Sequence, residues 1–374
     1  MRDIVEIGMG KNARRGYNLE DIAVVPSRRT RDVDDVSIAW QIDAFRFDLP
    51  LVAHPSDATM SPATAAQVGK LGGLGVLNAE GLWTRYEDPT KLLEELASLD
   101  PGSNRTQRLQ HAYAEPVKPE LIAERIREIR EEGVVSAVRV SPQHTVELAG
   151  SAISAGVDLL VIQGTIVSAE HVSTGGAPLN LKRFIADLDL PVVVGGCANY
   201  QTALHLMRTG AAGVIVGMGA DDWATTDEVL GIRVPMATAI GDAAAARRDY
   251  LDETGGRYVH VIADGDIETS GDIAKALACG ADAVMLGEPL SMAAEAPAGG
   301  AWWHSAASHP KLPRGGYVGR REAWPLAGLD QVLHGPADDP DGFLNLFGGV
   351  RRALAKTGYR DVKEFQKVEL VLDR

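Results

Sequence analysis

Eight short apolar runs, most followed by a stretch of helical spacing, constrain this chain more than any other feature. They lie at 49–53, 74–78, 137–140, 159–162, 191–194, 214–216, 258–263 and 283–286. A strand buried on both faces reads as an unbroken apolar run rather than as an alternation. Helical patterns stand at 63–70, 91–99, 120–132, 145–155, 181–188, 201–209, 236–252 and 270–279. Repeated strand–helix alternation of this kind predicts an α/β protein, a (β/α)8 TIM barrel forming a single domain over 1–374. An open doubly wound sheet also alternates, but no GxGxxG opens a helix early in this chain. In a barrel, functional groups collect in the loops after the strands. Those loops here hold Gly217 and Gly219, Asp264 and Gly265, and Gly287.

The other segments carry less pattern. Residues 1–50 read as a polar arm with one edge strand, and 100–119 as a polar, Pro-containing loop. The balance of 37 basic and 51 acidic residues gives a formal charge of −14. A surface that acidic disfavours nucleic acid as a partner. Only Cys197 and Cys279 occur, so no disulfide framework is expected and a reducing cytoplasm is the expected location. No run of 18 apolar residues and no secretory h-region is present, which argues against a membrane span.

Several strings are specific. The stretch 213–236, GVIVGMGADDWATTDEVLGIRVPM, opens as a strand and runs into a glycine loop. The string SGDIAKALACGADAVMLG follows VIADGDI near the last two strands. Gly348-Gly349-Val350-Arg351 and Gly358-Tyr359 stand in the tail, and GGLGVLN at 72–78. Together these resemble the IMP dehydrogenase / GMP reductase family, over about 17–366. The 213–236 stretch is similar to that family's catalytic loop, VG-x-G-x-GS-x-C-x-T. His54-Pro55-Ser56-Asp57 is similar to its S-P-M-D turn. The segment 80–135 is too short for the paired regulatory CBS modules, so the chain resembles the short, insert-free members.

The resemblance implies a purine nucleotide bound beside NAD, oxidised through a Cys adduct at C2 of the base, in a homo-tetramer or higher assembly. At the nucleophile position this chain has Ala224, and covalent catalysis of that type needs the thiol. Thr226 matches the Thr that helps activate the hydrolytic water; an ordinary loop hydroxyl is the other reading. Asp264 matches the residue that holds the nucleotide ribose, and Asp57, Gly217, Gly219, Gly265 and Gly287 are retained. The implied phosphate contacts are altered. Their positions carry His54, Asp222, Asp266 and Glu288, and carboxylates would repel a phosphate. On the cofactor side Gln163 stands for a ribose-binding Asp, Gly196 for an Asn, and Ser56 for the Met that stacks on the purine.

These changes lead to the expectation of a divergent family member of purine nucleotide metabolism that lacks Cys-dependent IMP oxidation. An active NAD-dependent oxidoreductase, a non-catalytic regulatory partner and a cation-binding barrel are the alternatives. Asp222, Asp266 and Glu288 are expected to converge, with His54 at their rim, around a cation or a nearby Arg or Lys. As metal ligands these four have suitable chemistry, but solvated loop tips explain them more simply, so no metal is assigned.

Overall fold

The computed structural model describes residues 4–99, 104–172, 178–218, 226–305, 319–320 and 326–373. Eight parallel strands close into a barrel in sequence order. We number them β1 (Leu51–Ala53), β2 (Leu74–Asn78), β3 (Ala137–Val140), β4 (Leu159–Gln163), β5 (Val192–Cys197), β6 (Gly213–Val216), β7 (His260–Asp264) and β8 (Ala283–Leu286). Closure is made by β8 on β1, where Val284, Met285 and Leu286 pair with Leu51, Val52 and Ala53. The expected barrel is therefore the observed fold.

The pleat sorts side chains between two cores. Val52, Leu74, Val76, Ala137, Leu159, Val161, Val193, Ile215, Ile262, Ala283 and Met285 fill the barrel interior. Their strand neighbours, such as Leu51, Ala53, Val138, Leu160, Val214 and Val284, pack against the helices outside. This period of two is what a β-strand imposes. A hairpin, Trp40–Ile42 with Phe45–Phe47, adds Trp40, Ile42 and Phe47 to the interior core at the N-terminal end of the barrel.

Two segments differ from expectation. The first 50 residues hold more than one edge strand: Ile4–Gly8 pairs with Lys11–Arg14, and Ile22–Val24 pairs antiparallel with the C-terminal Leu370–Leu372. The expected loop at 100–119 contains a helix, Arg105–Ala112. Its sequence is mostly polar, so its periodicity is weak. Leu109, Ala112 and Tyr113 gain their burial only by packing on Leu93 and Leu96 of the preceding helix and on Trp303 from the far end of the chain. Tertiary contact, not propensity, decides this element.

The N-terminal end of the barrel is held by one carboxylate. Asp282, 2% exposed, accepts from Arg247 Nη1 (2.7 Å), Tyr258 Oη (2.8 Å) and the Val261 N–H (2.9 Å), and pairs with Lys363. These groups come from the long helix Met236–Thr254, strand β7 and its approach, and the C-terminal helix Val362–Phe365. Burial alone would raise the pKa of Asp282, but the Arg247 and Lys363 charges overcome it and hold the group at about 2. Its contribution to stability is therefore present above the ordinary carboxylate range and lost as pH falls toward 2. Asp282→Ala leaves the buried Arg247 guanidinium uncompensated and is expected to cost about 3–5 kcal/mol. Urea unfolding at pH 7 measures this, and a loss below about 1 kcal/mol would show that the network is not a structural clamp.

Candidate functional site

The residue two positions beyond the last interior apolar residue of a strand points into the barrel mouth. On five strands that residue is polar: His54 after Val52, Asn78 after Val76, Arg139 after Ala137, Gln163 after Val161 and Asp264 after Ile262. On the other three it is Gly195, Gly217 or Gly287. The mouth thus has a polar floor with room above part of it. Contacts across the barrel place these side chains inside. Gln163 Nε2 on β4 donates to Asp264 Oδ2 on β7 (2.9 Å) and lies 3.4 Å from Met285 Sδ on β8.

Arg139 is the buried cation of this floor, 4% exposed. Its Nε and Nη2 donate to the Gln163 carbonyl at 3.1 and 2.7 Å, and Nη1 lies 3.8 Å from Glu80 Oε2. Burial would raise the pKa of Glu80, but Arg139 and the donated Ser141 N–H lower it overall, so it is ionised. His144 Nδ1 lies 3.1 Å from the same carboxylate.

A second group lies beside it. His54 is 1% exposed, and its Nε2 lies 3.2 Å from Nε2 of His304. Burial first, then the His304 and Arg139 charges, pushes the His54 pKa well below the ordinary value; burial and then Arg139 push His304 to about 4. Both rings are neutral near pH 7. Trp302 meets the His54 ring edge-on at 5.3 Å. Next to them runs a hydrogen-bonded chain: Trp303 Nε1 donates to Tyr113 Oη (3.1 Å), and Tyr113 Oη donates to Asp57 Oδ2 (2.5 Å). Burial raises the Asp57 pKa to about 6, against the opposing pull of the Tyr113 hydrogen bond.

Four buried atoms at or beside the mouth have no hydrogen-bond partner among the described residues: His54 Nδ1, Asn78 Nδ2, Gln163 Oε1 and Trp302 Nε1. Each such atom costs about 1–3 kcal/mol unless something polar meets it. Clustered here, they are what a site that takes a polar ligand or ordered water shows.

The positions singled out in the sequence fall as follows. Asp264 and His54 meet in the mouth, and Asp57 lies buried beside it. His54 is buried: the pleat turns it inward, and Trp302 and His304 cover it. Gly217, with φ +147°, lies so close to the Asp264 carbonyl that a Cβ would stand 1.6 Å from that oxygen. Gly287 is required because Trp302 lies on it; a Cβ would meet the indole at 2.2 Å. Gly265 carries φ +121°, and Asp266 follows at φ +53°, where a short polar side chain is tolerated. Asp266 pairs with Arg233 at 3.2 Å, the kind of nearby cation expected for it. Glu288 begins the short helix Glu288–Ser291. Thr226 is 1% exposed at the head of the helix Thr226–Leu230. Gly219, Asp222 and Ala224 lie outside the described residues, so the expected three-carboxylate convergence is not defined here. Arg139, Asn78, His304, Trp302, Trp303 and Tyr113 had no assigned role in the sequence. For Asn78 and Arg139 the pleat rule was the available signal; the others reach the mouth from outside the strands.

A closed parallel barrel with a polar layer and glycine turns at its C-terminal mouth defines an α/β-barrel protein whose candidate site lies between its strand ends. The IMP dehydrogenase / GMP reductase domain matches residues 16–315, and the chain belongs to that family. An uncharacterized oxidoreductase of Mycolicibacterium smegmatis is 59% identical over 378 residues, spanning 99% of this chain and 100% of the relative. One from Mycobacterium tuberculosis is 60% identical over the same shares. An IMP dehydrogenase/GMP reductase-like protein from Corynebacterium glutamicum, solved by crystallography, is 55% identical, with a TM-score of 0.93 covering 99% of this chain and 98% of that one. The chain is a short member: helices stand between β2 and β3, with no CBS pair among the described residues. No helix among the described residues is long and apolar enough to cross a membrane.

The raised pKa of Asp57 has a stability consequence. The native state prefers the protonated carboxyl, so the associated stability is full below about pH 4 and is lost as pH rises through about 6. The penalty at pH 7.5 amounts to at most about 3 kcal/mol. Asp57→Asn keeps an acceptor for Tyr113 and cannot ionise. Denaturant unfolding at pH 4.5 and 7.5 is expected to show a variant with a flatter pH dependence, more stable than the parent at the higher pH. Parallel pH dependences would show that Asp57 titrates normally.

Proposed function

We propose that this chain is a divergent IMP dehydrogenase / GMP reductase-family barrel that binds a small polar molecule at its mouth and does not carry out thiolate-dependent IMP oxidation. The observation that carries this reading is the position of its thiols. Ala224 stands in the sequence where the family has its nucleophile. Cys197, 1% exposed, donates to the Ile215 carbonyl at 3.4 Å, and burial pushes its pKa to about 12. Cys279 caps the helix Ser270–Ala278 with a pKa likewise pushed to about 12 by burial. A thiol at that pKa is almost wholly protonated at pH 7 and is a poor nucleophile.

The ligand-facing changes support the same reading. The turn after β8, where the family resemblance implies a phosphate, is covered by the Trp302 indole. Ser56, at the purine-stacking position, is buried and donates to the Trp303 carbonyl (2.5 Å). A nicotinamide cofactor is consistent with relatives named oxidoreductases. The side chains do not fit the way the family holds it, because Gln163, at the ribose-binding position, is 3% exposed and turned to Asp264. No hydride step is therefore derived. A purine nucleotide or other small molecule as ligand, and a homo-tetramer or higher assembly, remain part of the proposal by family resemblance.

A second reading, an oxidoreductase or other enzyme acting without a thiol, is favoured by Asp57. A buried carboxyl with a pKa of about 6 beside a tyrosine suits general acid–base work near neutral pH.

The test is direct. With IMP and NAD, the protein is expected to form no covalent adduct by intact mass and to give negligible NADH. Turnover near about 1 s⁻¹, within the ordinary enzyme range, would overturn the proposal. Ala224→Cys alone is expected to leave it inactive, because the phosphate and stacking contacts are also changed. A fully active Ala224→Cys protein would show that those contacts are dispensable.

A further inference from the structure

The donors that meet in the mouth come from three separate segments. His54 directly follows β1, Asp264 ends β7, and His304 follows the strand Ala301–Trp302. One ligand atom from each lies within 4.8 Å of the others. None of the three is near another in sequence, so the chain has been folded to bring them together. Two imidazole nitrogens 3.2 Å apart subtend roughly 100° at an ion about 2.0–2.1 Å from each, close to a tetrahedral angle. We propose that His54, His304 and Asp264 form a binding site for a first-row divalent transition metal, Zn²⁺ being the best match.

The surroundings suit such a site. Gln163 donates to Asp264 Oδ2 and fixes the orientation of the carboxylate, as residues behind metal ligands do. The edge contact with Trp302 holds the His54 ring. Arg139, the cation that would oppose a metal, has part of its charge offset by Glu80 at 3.8 Å. Two nitrogens and one carboxylate oxygen favour zinc, iron, manganese or cobalt over magnesium or calcium, which take mostly oxygen ligands. Three protein ligands leave a position open, and the chemical class of ligand that fits it is a small molecule with an oxygen or nitrogen donor. This inference is independent of the missing thiol: IMP turnover tests that reading, and metal binding tests this one.

The alternative for the pair is an ordinary N–H···N hydrogen bond between neutral imidazoles, which would bind no metal. The experiment uses the full-length protein stripped by chelator and titrated with Zn²⁺, then with Co²⁺ as a visible-absorbing probe. About one equivalent per chain is expected, with a rise in melting temperature and Co²⁺ ligand-field bands of a four- or five-coordinate site. His304→Ala and Asp264→Asn are each expected to lower affinity at least about 100-fold. His205→Ala, at an exposed ring on the helix Tyr200–Met207, is expected to leave metal binding unchanged. No binding by the parent protein at about 100 µM metal would overturn the proposal whether or not the variants fold. So would binding that both site variants retain in full.

Discussion

A guanidinium with 4% exposure at the mouth of a barrel sets the terms for everything around it. Arg139 cannot lose its proton, and desolvating it costs several kcal/mol unless its donors and charge are met. The Gln163 carbonyl takes two of its N–H groups, and Glu80 supplies the charge. The Gln163 side chain, turned inward by the pleat, meets Asp264 on the other side of the floor. Burial first, with the nearby Arg139 charge adding to it, keeps the two histidines beside it neutral.

The architecture was legible because its signal is local and repeated. Eight double-faced strands need eight apolar runs, and the helices between them need a period of 3.6. The lower half of the site was legible on the same grounds, since His54 and Asp264 sit at strand ends. The upper half was not. His304 reaches His54 across 250 residues of chain, Trp303 reaches Tyr113 across 190, and no periodicity encodes such meetings. Tyr113 was hidden further by its helix, whose polar sequence becomes helical only where Leu109 and Ala112 find the Leu93 cluster. The burial of His54 was hidden for a related reason: a motif match gives position along the chain but not the cover that Trp302 lays over it.

Glycine retention and ligand retention are separate matters in this fold. A glycine after a barrel strand gives a turn where other atoms can approach the backbone closely. In a phosphate site those atoms are oxygens, and turn N–H groups meet them. In this chain the atoms at Gly287 are the indole carbons of Trp302, and a Cβ there would stand 2.2 Å from the ring. At Gly217 they are the backbone of Asp264. Both glycines are thus demanded by packing within the chain itself, without any bound anion. Family motifs at such turns therefore report the scaffold faithfully while leaving the ligand to be decided by the side chains between them. Here those side chains are two neutral imidazoles, a carboxylate and a buried guanidinium.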